Sequence, residues 1–268
     1  MKYFTINPPA KLAGYVRFFW VLEGEASPGN PYIHRSMADG CAELLFHYQG
    51  TFEELMPDGF SEKSFSSGLA GQSQCHRRFS IDQHFGIFGV YFYPFAVPQI
   101  FSIPSTESRN GMIDLRLLIG SDAAELEEKM MSASTTQVRV ETICQFIEKR
   151  MERSVKPQAG IVELIKLMIQ SPSIPKVEEL AKQNFLSTRQ FERNFKTYTG
   201  FNPKLFSRII RFQKALSAYD FKEKSLTEIA YDCGYYDQAH FIQDFKEFSG
   251  HNPKEYFSGK AEAAKWRE

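Results

Sequence analysis

The chain has 268 residues with 32 Lys and Arg against 32 Asp and Glu, so its bulk charge gives no argument for a polyanionic partner. Hydrophobic content of 43% and charged content of 24% are ordinary for globular proteins, and no stretch approaches the ~20 consecutive apolar residues of a membrane helix. The length suits about two domains, each able to bury a core without disulfides or metals. Cysteines 41, 75, 144 and 233 form no Cys-x-x-Cys pair and read as packed thiols. Pro8 and Pro9 stand where a secretory signal needs a continuous apolar run, so a cytoplasmic protein is expected, with no membrane association.

In the first hundred residues, aromatic and β-branched runs at 15–22, 43–48 and 85–93 predict strands. Turn formers at 27–31, at Asp39 with Gly40, at Asp58 with Gly59 and at 66–68 separate them, as in an antiparallel sandwich or barrel. After Pro104 the period changes. Leu115, Leu118 and Ile119, then Leu126 and Met130, then Val140, Ile143, Cys144 and Ile147 predict two or three helices across 113–151. A polar segment at 152–160 has the composition of a linker, which puts a boundary near residue 155. Beyond it Ile161, Leu164, Ile165 and Met168 form another helical stripe, closed by Ser171 and Pro172. The fold class is α+β. Residues 1–155 form a β-rich, cupin-like half with trailing helices, 156–258 an all-α domain of about seven helices, and 259–268 a solvated tail.

The helical region contains an internal repeat. Glu179, Ala181, Phe191, Phe195, Lys196, Gly200, Asn202, Pro203 and Lys204 recur as Glu228, Ala230, Phe241, Phe245, Lys246, Gly250, Asn252, Pro253 and Lys254. The offset grows by one residue around Tyr236, where a turn tolerates it. In each copy a short helix and a turn lead to Ser187 or Asp237, an N-cap for a second helix. Phenylalanines four apart share one face of that helix, which must be buried. The opposite face carries Thr188, Arg189, Glu192, Arg193 and Lys196 in the first copy, and Gln238, Ala239, Ile242, Gln243 and Lys246 in the second. Arg, Gln and Glu read base edges from the first turns of recognition helices. Gly200 and Gly250 suit left-handed C-caps.

Between the copies, 203–219 reads as one connecting helix, with Leu205, Ile209, Phe212 and Leu216 inside and Lys204, Arg208, Arg211 and Lys214 outside. From Arg189 to Lys214, seven positive charges and one negative give +6 in 26 residues, a patch suited to phosphate contacts.

Residues 229–235, 237–246, Gly250, Asn252, Pro253 and Tyr256 resemble the signature of the arabinose-regulator (AraC/XylS) family, the match running over about 160–257. The resemblance implies a transcription regulator whose partners are double-stranded DNA and RNA polymerase. It places DNA reading at Arg189, Glu192 and Arg193 and at Gln238, Ala239, Ile242 and Gln243. Two positions depart from the family's pattern. Phe185 stands where the first turn usually has glycine, and Gln243 where arginine is common.

The strings 39–46 and 89–95 resemble a β-rich sensor branch of that family, which implies a small-molecule effector or dimerisation through this half. Trp20, Phe46, Tyr48, Phe88, Tyr91 and Tyr93 are the candidate effector-pocket aromatics, although alternating aromatics on strands also serve simply as core. No cofactor is expected. His34, Glu43, His47, Cys75, His76 and His84 lack the close His-x-His of a metal-binding cupin, so no metal site is assigned. Gly71, Ser73 and Cys75 give part of a nucleophile elbow without its second glycine, and Ser73 with His76 or His84 is a weak hydrolase seed. An adaptor that binds protein through the β-rich half is the other alternative.

Overall fold

The computed structural model describes residues 1–154, 159–170, 177–183, 186–217 and 224–260. Ten strands occur among them: β1 (Lys2–Ile6), β2 (Val16–Gly24), β3 (Tyr32–Ser36), β4 (Ala42–Gln49), β5 (Glu53–Leu55), β6 (Ser61–Lys63), β7 (Ser67–Ala70), β8 (Arg77–Ile81), β9 (Phe85–Phe92) and β10 (Met112–Asp114). Five helices follow within the first half: α1 (Ala96–Phe101), α2 (Ser105–Ser108), α3 (Leu115–Ile119), α4 (Asp122–Ser132) and α5 (Thr136–Glu152). Seven more are described in the second: α6 (Ala159–Gln170), α7 (Val177–Gln183), α8 (Thr188–Thr199), α9 (Pro203–Ser217), α10 (Leu226–Asp232), α11 (Gln238–Ser249) and α12 (Pro253–Phe257). None of the described helices is long and apolar enough to cross a membrane.

The strands form a six-stranded sheet, β1-β2-β9-β4-β7-β10, and a four-stranded sheet, β3-β8-β5-β6. This is the sandwich form of the expected fold, not the closed barrel. Alternation along each strand divides the larger sheet into two faces. Phe19, Val21, Leu44, Phe46, Phe88, Val90 and Phe92 are fully buried against α1, α3, α4 and α5. Trp20, Leu22, Leu45 and Ile87 turn instead toward Phe52, Phe79 and Ile81 of the smaller sheet's side. The central strand β9 is buried along its whole length because both of its faces are covered. Gly89 permits this packing, since a Cβ there would lie 2.1 Å from the Trp20 indole.

Two expectations change. The sequence reading has no helix before residue 113, yet α1 and α2 lie there, and the short β10 precedes α3. Cys75 is exposed, and only Cys41, Cys144 and Cys233 are packed thiols. Ser171 and Pro172, Phe185 and the boundary at residue 155 lie outside the described residues.

The helical half has its own aromatic core. Phe191, Phe195, Phe241 and Phe245 are all fully buried. The connecting helix α9 supplies one phenylalanine to each unit: Phe206 packs edge-on to Phe195 at 5.5 Å, and Phe212 edge-on to Phe245 at 5.4 Å. Two residues of the β-rich half, Ala38 and Phe95, are buried in this same cluster.

Substitution Phe191→Ala removes a fully buried ring and is expected to cost about 3–5 kcal/mol in urea unfolding. Leu117→Ala, at a side chain 83% exposed, is expected to stay within about 0.5 kcal/mol of the unmodified chain.

Candidate nucleic-acid interface

Both second helices of the repeat start and stop where their sequence dictates. Ahead of α8, the Ser187 hydroxyl accepts the Gln190 N–H at 3.3 Å, while the Gln190 side chain accepts the Ser187 N–H at 3.3 Å. This reciprocal capping box satisfies two amides that have no intrahelical partner. Ahead of α11, the Asp237 carboxylate accepts the His240 N–H at 2.8 Å. That bond holds the Asp237 carboxyl below the usual carboxylate range. Gly200 and Gly250 end the two helices in the left-handed conformation, with φ of 76° and 72°. Asn202 and Asn252 then cap the following helices by accepting from Leu205 and Lys254, and Pro203 and Pro253 open them. The repeated Gly-x-Asn-Pro thus stops one helix and starts the next.

With the phenylalanines inside, Thr188, Arg189, Glu192, Arg193 and Lys196 of α8 are exposed. Arg189, Glu192, Arg193 and Lys196 share one open groove of about 480 Å³ with Asn202. On α11, Ala239, Gln243 and Lys246 are exposed. Two candidates there are partly committed elsewhere. Gln238 is half-buried and its carbonyl accepts from the Thr227 hydroxyl at 3.2 Å, while Ile242 packs against the helical core. His240 is exposed between Ala239 and Gln243, its Nδ1 3.1 Å from Asp237. The sequence reading omits it, although helical spacing puts it opposite Phe245 and one turn before Gln243.

Three cations of α9 are not outside. Arg208 donates to Asp244 at 3.1 and 2.7 Å and to Glu247 at 2.6 Å, tying α9 to α11. The Arg211 guanidinium lies 5.1 Å from the Tyr235 ring centre, and burial pushes the half-buried Lys214 ammonium down. The exposed positive charge of the patch is therefore Arg189, Arg193, Lys196 and Lys204.

A cavity of about 360 Å³ lies between the two sheets. Of the six aromatics expected at a pocket, Trp20 alone lines it. Phe46 and Phe88 belong to the opposite face and pack against helices. Tyr48 donates to Glu23 at 2.7 Å, with the Arg139 guanidinium 3.8 Å from its ring centre. Tyr91 donates to Asp39 and stacks on Phe18 at 4.7 Å, and Tyr93 stacks on Phe95 at 5.5 Å near the helical half. The cavity instead takes Leu22, Leu45, Phe52, Phe79 and Ile87 as apolar walls and His34, Glu43, His47, Glu54 and Arg77 as polar groups. Glu43 accepts the Trp20 indole N–H at 3.0 Å, and Arg77 is paired with Glu54. The Ser73 hydroxyl is engaged with the Cys75 carbonyl at 2.6 Å and faces no imidazole in that bond.

Residues 4–114 match a family described as a domain of unknown function (DUF6597), and residues 180–259 match the helix-turn-helix domain family. The transcriptional activator RhaS of Salmonella arizonae is 34% identical over 83 residues, covering 31% of this chain and 30% of the relative. The chain therefore spans about 30% of the length of the curated relatives it matches. ToxT of Vibrio cholerae O395 superposes with a TM-score of 0.49 at 14% identity, covering 90% of this chain and 97% of that one. A regulator with an AraC-type DNA-binding domain from Chromobacterium violaceum gives a TM-score of 0.35 at 26% identity, covering 39% of this chain and 94% of that one. The chain thus carries a helix-turn-helix domain at residues 180–259 and is similar, over 83 residues, to a transcriptional activator.

Proposed function

We propose that the chain is a sequence-specific transcription regulator of the cytoplasm that lays α8 and α11 into successive major grooves of double-stranded DNA. The observation that carries this reading is the pair of capped helices, each anchored by two buried phenylalanines and each turning a polar face outward. Their connector supports it. The 15 residues of α9 make a rod of about 22 Å, and half-diameters of ~5 Å for each flanking helix bring the span near one DNA turn, about 34 Å. RNA polymerase contact, dimerisation through the β-rich half and a functional boundary near residue 155 belong to the same reading.

The cavity between the sheets is the effector site in this reading. Its volume exceeds the lower end of small-molecule sites, roughly 300 Å³. Its walls favour a compact molecule with a flat apolar body, and Glu43, His47 and Arg77 supply the polar contacts that fix orientation. His34 and His47 present neutral imidazoles, because burial pushes both below the usual range, His34 to about 4.

That depression has a sign. The unfolded chain binds a proton at His34 near pH 6.5 and the folded chain only near 4. Stability is therefore full above pH 6.5 and falls as the pH drops from 6.5 toward 4, by up to about 3 kcal/mol from this group. Urea unfolding between pH 7.5 and 4 is expected to show that slope, and His34→Gln to flatten it. An identical slope in the variant would remove His34 as its source.

Arg193 and Lys196 test the reading face. Arg193→Ala is expected to cost about 1–3 kcal/mol on the preferred duplex and to relax base preference at one position, as loss of a bidentate contact to guanine does. Lys196→Ala, one turn later, is expected to weaken all duplexes alike and lower the salt slope by about one. Binding to specific and scrambled duplexes at several salt concentrations separates the two. Unchanged affinity and base preference in Arg193→Ala would demote the first unit to a backbone anchor.

A further inference from the structure

We propose that the β-rich half works as a clamp on the C-terminal ends of both recognition helices, and that the cavity controls this clamp. The proposal rests on reading α8 and α11 as recognition helices and the cavity as a ligand site.

The last carbonyls of a helix lack intrahelical partners and must find donors elsewhere. In both copies of the repeat the β-rich half supplies them. At the end of α8, the Tyr198 carbonyl accepts from the Ser105 hydroxyl on α2 at 3.0 Å. At the end of α11, the Phe248 carbonyl accepts the Ala38 N–H at 3.0 Å, and the Ser249 carbonyl accepts from Arg35 at 3.4 Å. The connector is held at the same point, since the Gln213 amide donates to the Ala38 carbonyl. Ala38 thus joins α9 and α11 through its two backbone groups, and it is completely buried in doing so.

The close approach depends on glycines. A Cβ at Gly40 would come within 2.8 Å of the Phe206 ring, and one at Gly250 within 2.5 Å of His76. Thr188, Arg189, Glu192, Arg193 and Lys196 of α8 and Ala239, Gln243 and Lys246 of α11 stay exposed. The clamp therefore covers neither face and acts on the placement of one recognition helix relative to the other.

Cavity and clamp are alternate residues of the same segments. On β3, His34 and Ser36 line the cavity and Arg35 between them reaches α11. After β7, Gly71 and Ser73 line the cavity while Gln72 between them meets the turn at Gly200. The two segments are coupled, because Asp39 and Ser73 exchange backbone hydrogen bonds of 2.8 and 3.0 Å. A ligand that moves the inner residues moves the outer ones with them, and it shifts the clamp by as much as its affinity differs between the two placements.

The test uses the full chain. Gly40→Val wedges residues 37–41 away from α9, and the triple variant Arg35→Ala, Ser105→Ala, Gln213→Ala removes donors without a wedge. Ala70→Trp, or the milder Leu45→Phe, fills the cavity in place of a ligand. Circular dichroism screens each for native helix content, and the second variant of each kind stands in should the first fail to fold.

Hydrogen exchange at the Ala38 amide reports docking on α11 directly. It is expected to quicken at least about tenfold in the release and cavity-filling variants, with 140–150 unchanged. On duplexes selected from a random pool, the intact chain is expected to lose about tenfold in affinity when the two half-sites move by one base pair, and the release variants only about threefold or less. A folded release variant with the intact spacing preference, or folded filled-cavity variants with unchanged exchange at Ala38, overturns the clamp. An intact chain that binds no duplex removes the DNA reading instead, and the exchange arm still decides the mechanical coupling.

Discussion

The burial of two phenylalanines four residues apart, once in each copy of the repeat, is the constraint from which the rest of the helical half follows. At 3.6 residues per turn, Phe191 with Phe195, and Phe241 with Phe245, fix the rotation of α8 and α11 about their own axes. Whatever lies opposite must face solvent. The N-caps then fix where each helix begins, so all the outward residues except Lys196 and Lys246 fall in the first two turns, where a groove-inserted helix meets bases. Phe206 and Phe212, six residues apart on α9, reach the two units separately, so one connector carries both anchors.

Charge is distributed to match. A neutral chain has little long-range attraction for DNA, and half of the connector's cations are spent on holding the protein together. Arg208 is fixed by Asp244 and Glu247, and Arg211 lies against Tyr235. What remains outside is a compact set on and beside α8, with Glu192 among the arginines. Such a surface gives modest sequence-independent affinity, since each released counterion needs a phosphate contact. In the proposed function, discrimination then comes from base edges.

The helical half was largely legible in the sequence, and the β-rich half only in outline. Caps, C-cap glycines and the buried face of α8 and α11 are local matters of spacing, and residues 187–203 and 237–253 state them twice. Strand existence was legible for the same reason. Strand face was not, because period-two alternation separates Trp20 from Val21 without saying which side holds helices and which a cavity. Phe46, Phe88 and Tyr48 are aromatic on the helix-packed side, and Phe52 and Phe79, which do wall the cavity, come from segments not read as strands. The fate of Arg208 depends on Asp244, 36 residues away, a pairing that composition does not reveal. His240 differs again: its residue type does not single it out among the side chains that pair with bases, while its position on the helix places it outside.

The two units are unequal in chemistry despite their shared skeleton. In α8 the outward face offers two guanidiniums and a carboxylate, groups that discriminate bases by directional hydrogen bonds. In α11 the corresponding face has lost part of that vocabulary: Gln238 is engaged by Thr227, Ile242 leans into the core, and Ala239 presents only a methyl group. Gln243 and His240 are left for polar contact, and the apolar remainder suits thymine methyls. A unit that reads few edges contributes specificity chiefly by demanding that its partner helix sit at one distance and tilt. In the proposed function that demand has force only when the relative placement of the two helices is held, and Arg208 between α9 and α11 and the donors at the ends of both helices are the contacts that hold it.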